Sequence, residues 1–258
     1  MSEASTRRDF LKGVTALGAA ALPTLADAHG SSTSPGGKAL ATMPVAEEPA
    51  YQFFSAREAA FVEAALASLI PADALGPGAR EAGVAHFIDR ELAGAFGANA
   101  RNYRQGPWPQ GSPEQGPQWR LTPREIYREA IGATNRHCEA QYGRSFDDLE
   151  LADREAVLHG LESGSITLEP VPARTFFDLL WSNTQEGFFA DPMYGGNRDK
   201  IGWSLVGFPG VAAAYVDEIE KHNVPYDVVP VSIGELQRGH VAVDAHGHPV
   251  HVRRKPGT

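Results

Sequence analysis

The sequence predicts a mainly α-helical protein: an irregular helical domain with long Gly/Pro/aromatic loops and a C-terminal extended or β-hairpin arm. Ser55–Glu58 and Thr122–Glu125 have the spacing of capping boxes, in which a hydroxyl and a carboxylate satisfy free backbone N–H groups at a helix start. Hydrophobic residues recur at helical spacing behind both boxes, whereas β-branched residues alternate with period two only near the C-terminus. These observations predict a helical domain over residues 51–222 and a β-rich arm over residues 223–258.

Further helix starts are marked by proline or by the return of apolar periodicity. Helices are expected to begin at Pro77 and near Asp153, and another is expected to run from Pro172 through Trp181. A last helix is predicted over Val211–Lys221. With 42% hydrophobic residues in the chain, the roughly 230 residues after the first 28 can bury one core, with or without an appendage.

The first 28 residues have the pattern of an export signal. Residues 6–12 read TRRDFLK, which matches the twin-arginine pattern, and Arg7, Arg8 and Phe10 are its recognised residues. The apolar run that follows is shorter than the about 20 residues that a membrane-spanning helix needs. Ala26-Asp27-Ala28 offers a cleavage site. We therefore expect export to the periplasm by the twin-arginine translocase, followed by a disordered tether over residues 29–50.

Net charge and cysteine usage limit the classes of partner. The formal net charge is −9 at pH 7, which argues against nucleic acid and against anionic membrane surfaces. Cys138 is the single cysteine, so it has no internal disulfide partner. In an exported protein such a thiol is either buried and inert or bridged to another subunit, and the sequence leaves both alternatives open.

The most unusual stretch is Trp181–Gly210, which mixes glycines, prolines and aromatic residues. Gly195-Gly196 and Asp191-Pro192 break regular structure, because glycine admits positive φ and proline removes a donor. Large aromatic rings are scarce in disordered segments. The stretch is therefore predicted to be an ordered loop whose backbone approaches something closely, either its own core or a partner.

A second long loop spans Gly97–Leu121 and is rich in Gly, Pro, Gln and Arg. Loops longer than about 12–15 residues in compact domains are usually functional or disordered. Trp108 and Trp119 favour a surface that is covered in the working state.

Residues that could carry chemistry form no catalytic set. His86 and Asp89 lie on the polar side of the second predicted helix, where a solvated face is expected. Asp191 and Asp199 could be an acid/base pair, but their spacing across a glycine-rich loop gives no distance. Dinucleotide, phosphate-loop, nucleophile-elbow and zinc-protease motifs are missing from the sequence, and one cysteine excludes cysteine-bound haem or iron–sulfur clusters.

The predicted arm contains four histidines: His240, His246, His248 and His251. A hairpin could bring two imidazoles together, but without a cysteine or an ordered helix a closed metal site is not expected. A stand-alone exported metal-binding enzyme that uses this arm is the alternative function.

Two groups of motifs carry a resemblance to a known family. The matching segments, in chain order, are residues 69–73 (LIPAD), 78–84 (GAREAGV), 88–89 (ID), 187–199 (GFFADPMYGGNRD), 202–203 (GW) and 207–210 (GFPG). Over roughly residues 53–215 the chain resembles the gluconate 2-dehydrogenase subunit 3 family. The Trp108 loop and the histidine-rich arm are not matched by this resemblance.

The resemblance implies a non-catalytic small subunit of membrane-associated, flavin-dependent sugar or polyol dehydrogenases. Its partners would be an FAD-containing large subunit of the glucose–methanol–choline type and a multihaem cytochrome c that takes the electrons. The small subunit would have no cofactor of its own. It would help to fold the flavoprotein and export it on the twin-arginine signal, with membrane association only through the complex.

On this basis Trp181–Gly210 is interpreted as the docking element. Tyr194, Trp203 and Phe208 are expected anchors, because interface hot spots favour Trp, Tyr and Arg. Arg198 could make a bidentate contact with a carboxylate. The residues predicted to bind the partner are Phe188, Phe189, Asp191, Pro192, Tyr194, Gly195, Gly196, Asn197, Arg198, Trp203, Phe208 and Pro209.

Overall fold

The computed structural model describes residues 49–109, 111–112, 120–211 and 215–254. The predicted signal with Arg7, Arg8 and Phe10, nearly all of the predicted tether, and Trp119 lie outside the described residues. The described residues from Ala50 onward belong to one compact unit.

The predicted mainly α-helical fold is confirmed. The α-helices of the described residues are α1 (Ala56–Leu69), α2 (Val84–Ala93), α3 (Pro123–Tyr142), α4 (Leu151–Ser163), α5 (Ala173–Phe189), α6 (Ile201–Val206) and α7 (Ile233–Gln237). Short 3₁₀ turns connect them at Phe146–Asp148, Pro192–Tyr194, Arg198–Lys200 and Val216–Glu218. None of the helices in this part of the chain has the length and apolar character needed to cross a bilayer.

Both predicted capping boxes start helices. The Ser55 and Thr122 side chains accept from the N–H groups of Glu58 and Glu125, whose carboxylates bond back to the cap residues. The hydrogen bond from the Thr122 hydroxyl is the main reason that the pKa of the Glu125 carboxyl lies below its ordinary value. A third box, which was not predicted, forms at Ser232 and starts α7.

Helix α5 is the centre of the core, because it packs against α1, α2, α3 and α4. Its Phe176 ring lies edge-on to the Tyr127 ring of α3, with the ring centroids 5.6 Å apart. Both side chains are fully buried. The Tyr127 hydroxyl accepts a hydrogen bond from Asn183 Nδ2 at 3.0 Å, and burial raises the pKa of this phenol. The polar end of the buried ring is therefore paired within the core.

Asp89 and His86 are buried rather than solvated, so the predicted polar face was wrong. The Asp89 carboxylate accepts hydrogen bonds from the backbone N–H groups of residues 52–54 at 2.7 and 2.9 Å. The His86 ring stacks on the Tyr51 ring at 4.6 Å between centroids. The segment before α1 thus folds over α2, and this long-range packing leaves no periodic signal in the sequence.

Asp89→Asn should lower the free energy of unfolding by about 2 kcal/mol, because hydrogen bonds to a charged acceptor are worth roughly 1.5–3 kcal/mol each. The NH₂ group of the new asparagine would also face backbone N–H groups, and because both are donors they cannot form a hydrogen bond. Asp178→Asn is the matched control, since Asp178 is exposed on α5 and lies 3.7 Å from the exposed Arg174 guanidinium. Urea denaturation should show a small change for Asp178→Asn. Equal changes for both variants would contradict the anchoring role of Asp89.

Helix α5 runs through Phe189 instead of ending near Trp181, and α6 forms inside the stretch predicted to be irregular throughout. Gly187 is accommodated within α5 because a Cβ there would lie 2.8 Å from the Phe87 side chain of α2. The glycine permits close helix packing and does not end the helix. The prediction of a loop at these two places was wrong.

After Gly210 the described residues form turns, isolated bridges and the short helix α7, without a regular strand. Of the helix predicted over residues 211–221, the described residues show only the 3₁₀ turn Val216–Glu218. Farther along, Val228 pairs with Arg253, and Val243 pairs with Pro249, as isolated antiparallel bridges. Helix α7 lies between the first members of these two pairs.

Candidate docking face

The late glycine/aromatic segment, residues 190–210, packs against α2. The backbone N–H of Arg198 donates to the Ala82 carbonyl at 2.9 Å. The Arg90 guanidinium donates to the Met193 carbonyl at 3.5 Å, and a Cβ on Gly195 would lie 3.1 Å from it. The early and late motifs of the sequence therefore support each other in the fold.

The glycines of this segment allow close approach to the protein's own backbone. A Cβ on Gly196 would lie 2.1 Å from the Gly187 carbonyl oxygen. A Cβ on Gly202 would lie 2.1 Å from the Phe188 carbonyl oxygen. Of the two alternatives left by the sequence, core or partner, these two glycines serve the core.

Asn197 fixes the path of the segment between α5 and α6. The residue is fully buried and has a left-handed φ of 48°. Its Nδ2 donates to the Ala190 carbonyl at 2.8 Å, and its Oδ1 accepts from the Gly202 N–H at 2.8 Å. One side chain therefore satisfies the hydrogen-bonding groups of a carbonyl after the end of α5 and of an N–H at the start of α6. Asn suits this position because it tolerates the left-handed region of φ.

The buried Trp203 side chain supports the exposed ring of Phe208. Its indole N–H donates to the Phe189 carbonyl at 2.7 Å. The Phe208 ring lies edge-on to it, with the ring centroids 5.2 Å apart. Trp203 is 6% exposed and Phe208 46% exposed, so of these two predicted anchors only Phe208 is exposed in this conformation.

Four large apolar side chains of the segment reach solvent. Tyr194 is 49% exposed, Met193 42% and Val206 41%, in addition to Phe208. We refer to Met193, Tyr194, Val206 and Phe208 as the docking face. Exposed apolar side chains mark an interaction surface where they form one contiguous patch, and these four are the candidates for such a patch.

The twelve residues predicted to bind the partner separate into three groups. The buried ones are Phe188, Asp191, Gly196, Asn197 and Trp203. The partly exposed ones are Phe189, Pro192, Gly195, Arg198 and Pro209. Only Tyr194 and Phe208 are exposed. Met193 and Val206, which were not among the predicted residues, are also exposed, because Met193 lies in the 3₁₀ turn and Val206 at the end of α6.

Asp191 uses both carboxylate oxygens to hold backbone. Its Oδ1 accepts from the Met193 N–H at 3.0 Å, and its Oδ2 accepts from the Ile233 N–H at 2.6 Å. The carboxylate is buried, whereas Asp199 is exposed. Asp191 therefore acts as a cap and a tether for the arm, and the acid/base pair with Asp199 has no support from this geometry.

The C-terminal arm is tied to both ends of the segment. The Val231 N–H donates to the Pro209 carbonyl at 3.0 Å, and its carbonyl accepts from the Val211 N–H at 2.8 Å. At the start of the segment, Asp191 Oδ2 accepts from the Ile233 N–H. At its middle, Lys200 Nζ contacts the two Glu235 carboxylate oxygens at 2.7 and 2.9 Å. Residues 231–235 therefore brace the segment that presents the docking face.

The Glu235 carboxyl makes this brace sensitive to acid. Partial burial alone would raise its pKa, but hydrogen bonds from Lys200 and Ser232 hold the pKa below the ordinary value of 4.5. Because the folded pKa is the lower one, the stabilisation is present above about pH 4.5 and is lost as pH falls through the folded pKa.

We expect the melting temperatures of wild type and Glu235→Gln to differ at pH 7 and to converge in acid. A constant difference across this pH range would contradict the ion pair as its source.

Two of the four arm histidines, His248 and His251, make side-chain hydrogen bonds. His251 Nε2 donates to the Val211 carbonyl at 2.9 Å, so its Nδ1 accepts from the Tyr226 hydroxyl at 3.0 Å. His248 Nδ1 lies 3.2 Å from the Asp244 carboxylate. Across the described residues, no three His, Cys, Asp or Glu side chains are grouped as metal ligands.

Cys138 is fully buried in α3. Burial, with a smaller contribution from Glu139, raises the pKa of the thiol to about 11. The thiolate that would form a disulfide is therefore scarce at neutral pH. Of the two alternatives for this cysteine, the geometry favours the inert buried thiol, and a bridge to another subunit would require α3 to open.

In the second long loop Tyr103 is 85% exposed. The Arg104 guanidinium lies 5.7 Å from the centroid of the Trp108 ring. This loop therefore offers an exposed aromatic residue outside the docking face.

Together, these features describe a helical protein with a braced, aromatic-bearing segment as its distinctive surface. The family model for gluconate 2-dehydrogenase subunit 3 matches residues 56–210, more than half of the chain. The chain belongs to this family, whose description makes it an accessory subunit of a dehydrogenase. Searches of curated proteins and of solved structures gave no significant match. The matched region includes the docking face and ends before the arm residues that brace it.

Proposed function

We propose that this chain is the non-catalytic small subunit of an FAD-dependent sugar or polyol dehydrogenase and docks the large subunit through Met193, Tyr194, Val206 and Phe208. The observation that carries this proposal is the exposure of four apolar side chains on a braced segment within the family match. Binding through a preformed surface avoids the cost of ordering a loop on association. Tyr194 and Phe208 supply large contact areas at low entropic cost.

The flavin chemistry belongs to the partner in this proposal. The large subunit, of the glucose–methanol–choline type, would contain FAD, and a multihaem cytochrome c would accept the electrons. The small subunit would hold the flavoprotein in a foldable state. It contributes a surface rather than a reacting group.

Export completes the proposed role. The twin-arginine pattern at Arg7 and Arg8 would direct this chain and its bound partner to the periplasm, since this route accepts folded proteins. The flavoprotein can then receive FAD in the cytoplasm and cross the membrane without a signal of its own.

The export role is tested by Arg7→Lys with Arg8→Lys in cells that also produce the flavoprotein large subunit. Periplasmic dehydrogenase activity should fall nearly to background, while activity in the cytoplasm persists. The matched control is Lys12→Arg, which keeps the charge of the signal and its arginine pair. Unchanged periplasmic activity in the double variant, or in cells that lack this chain, would sink the proposal.

A further inference from the structure

A groove of about 230 Å³ lies between the N-terminal end of α1 and α3. Three arginines line it: Arg57, Arg128 and Arg136. None of its lining residues belongs to the docking face or to the arm. The groove is therefore a separate feature, and its capacity to bind a ligand is independent of the proposed function.

The carboxylates that line the groove are already engaged. Glu58 accepts from the N–H and the hydroxyl of Ser55 at 2.8 and 2.7 Å in the capping box of α1. Glu139 forms an ion pair with Arg57. Neither carboxylate is left as the natural counterion of the remaining two arginines.

Arg128 and Arg136 have no carboxylate ion-pair partner within the described part of the chain. The Arg128 guanidinium is held in place over the Phe53 ring, 4.6 Å from its centroid, and donates to the Phe53 carbonyl at 3.4 Å. Arg136 is exposed at the rim of the groove. Two planar cations with unused donors therefore line one small space.

Asn135 adds an amide donor to the same wall. The residue is 3% exposed, and its Oδ1 accepts from the Phe146 N–H at 3.0 Å. Because a backbone N–H requires an acceptor, this bond fixes the orientation of the amide and leaves the Nδ2 hydrogens as donors. No residue in the described ranges accepts a hydrogen bond from Nδ2. Within the described chain, this amide donor lines the groove without a protein acceptor and is therefore available to a ligand.

We propose that this groove binds a small organic carboxylate, which accepts hydrogen bonds from Asn135 Nδ2 and from the Arg136 guanidinium. The planar donors of both groups match the two oxygens of a carboxylate. Arg128 adds a second positive charge, and the N-terminal end of the 14-residue α1 adds the positive end of a helix dipole. The volume admits a short-chain acid.

Succinate is the probe, titrated into the isotopically labelled full-length chain. The side-chain amide signals of Asn135 and the backbone amide of Phe146 should shift and saturate. Asn135→Asp keeps the Oδ1 acceptor for Phe146 and replaces the free donor by an acceptor, so it should weaken binding at least about tenfold. Arg136→Gln should do the same, because Arg136 is exposed and its loss leaves the core unchanged.

Two controls make the result decisive. Succinamide has the same shape without the charge and should not saturate the shifts. Arg174→Gln removes an arginine on α5, where the side chain is 71% exposed, and should bind succinate as wild type does. Absence of saturable shifts with wild type, or equal affinity in Arg136→Gln, would overturn the proposal whether or not Asn135→Asp folds.

Discussion

Gly196→Ala should lower the free energy of unfolding by about 4 kcal/mol or more, since overpacking against fixed atoms is among the few mechanisms that reach this size. The added methyl group would lie 2.1 Å from the Gly187 carbonyl oxygen and 2.9 Å from its carbonyl carbon. Both atoms belong to backbone inside α5, so neither can turn away as a side chain would. Urea denaturation followed by circular dichroism measures the loss.

Gly207→Ala is the matched control for this substitution. Gly207 has a left-handed φ of 69°, and a Cβ there would meet nothing within 4 Å. Only the backbone preference opposes the methyl group, at about 1–2 kcal/mol. Comparable losses for Gly196→Ala and Gly207→Ala would mean that backbone conformation, and not close packing, explains the glycines of the segment.

Tyr194→Ala and Phe208→Ala should each weaken binding of the flavoprotein large subunit by at least about 2 kcal/mol, which corresponds to about 30-fold in Kd. Both rings are nearly half exposed, so their removal should change the stability of the isolated chain little. Titration of the purified large subunit by calorimetry measures the affinity. Thermal unfolding of each variant alone shows whether the fold is intact.

Tyr103→Ala is the control for the loss of an exposed ring, because Tyr103 is 85% exposed in the other long loop. It should bind as wild type does. If Tyr103→Ala weakens binding and Tyr194→Ala does not, the docking face has been placed on the wrong loop.

Local signals predicted much of the fold. The boxes at Ser55 and Thr122 mark helix starts because the chemistry of a cap lies within four residues. The end of α5 could not be predicted in this way. Gly187 is a helix breaker by intrinsic preference, but the side chain of Phe87, a hundred residues earlier, fills the space that its missing Cβ leaves. Tertiary packing overrides propensity at this position.

The candidate site was predictable in location but not in detail. The density of glycines and aromatic residues marked the segment, yet the sequence does not show which rings face inward. Trp203 is buried because its indole N–H reaches the Phe189 carbonyl, and Asp191 is buried because Ile233 of the arm donates to it. Both partners become neighbours only in the folded chain. Asp89 is another such case, because its carboxylate oxygens accept hydrogen bonds from backbone N–H groups of the segment before α1, which is distant in the sequence.

In the proposed function, the small subunit binds the flavoprotein with its docking face and is exported together with it. One experiment can measure both the binding and the export. The tagged chain would be purified from the periplasm of cells that also produce the large subunit, and released FAD would be quantified per chain. We predict close to one FAD per wild-type chain and almost none for the Tyr194→Ala/Phe208→Ala double variant. Wild-type chain that purifies without FAD, while active dehydrogenase appears separately in the periplasm, would contradict this role.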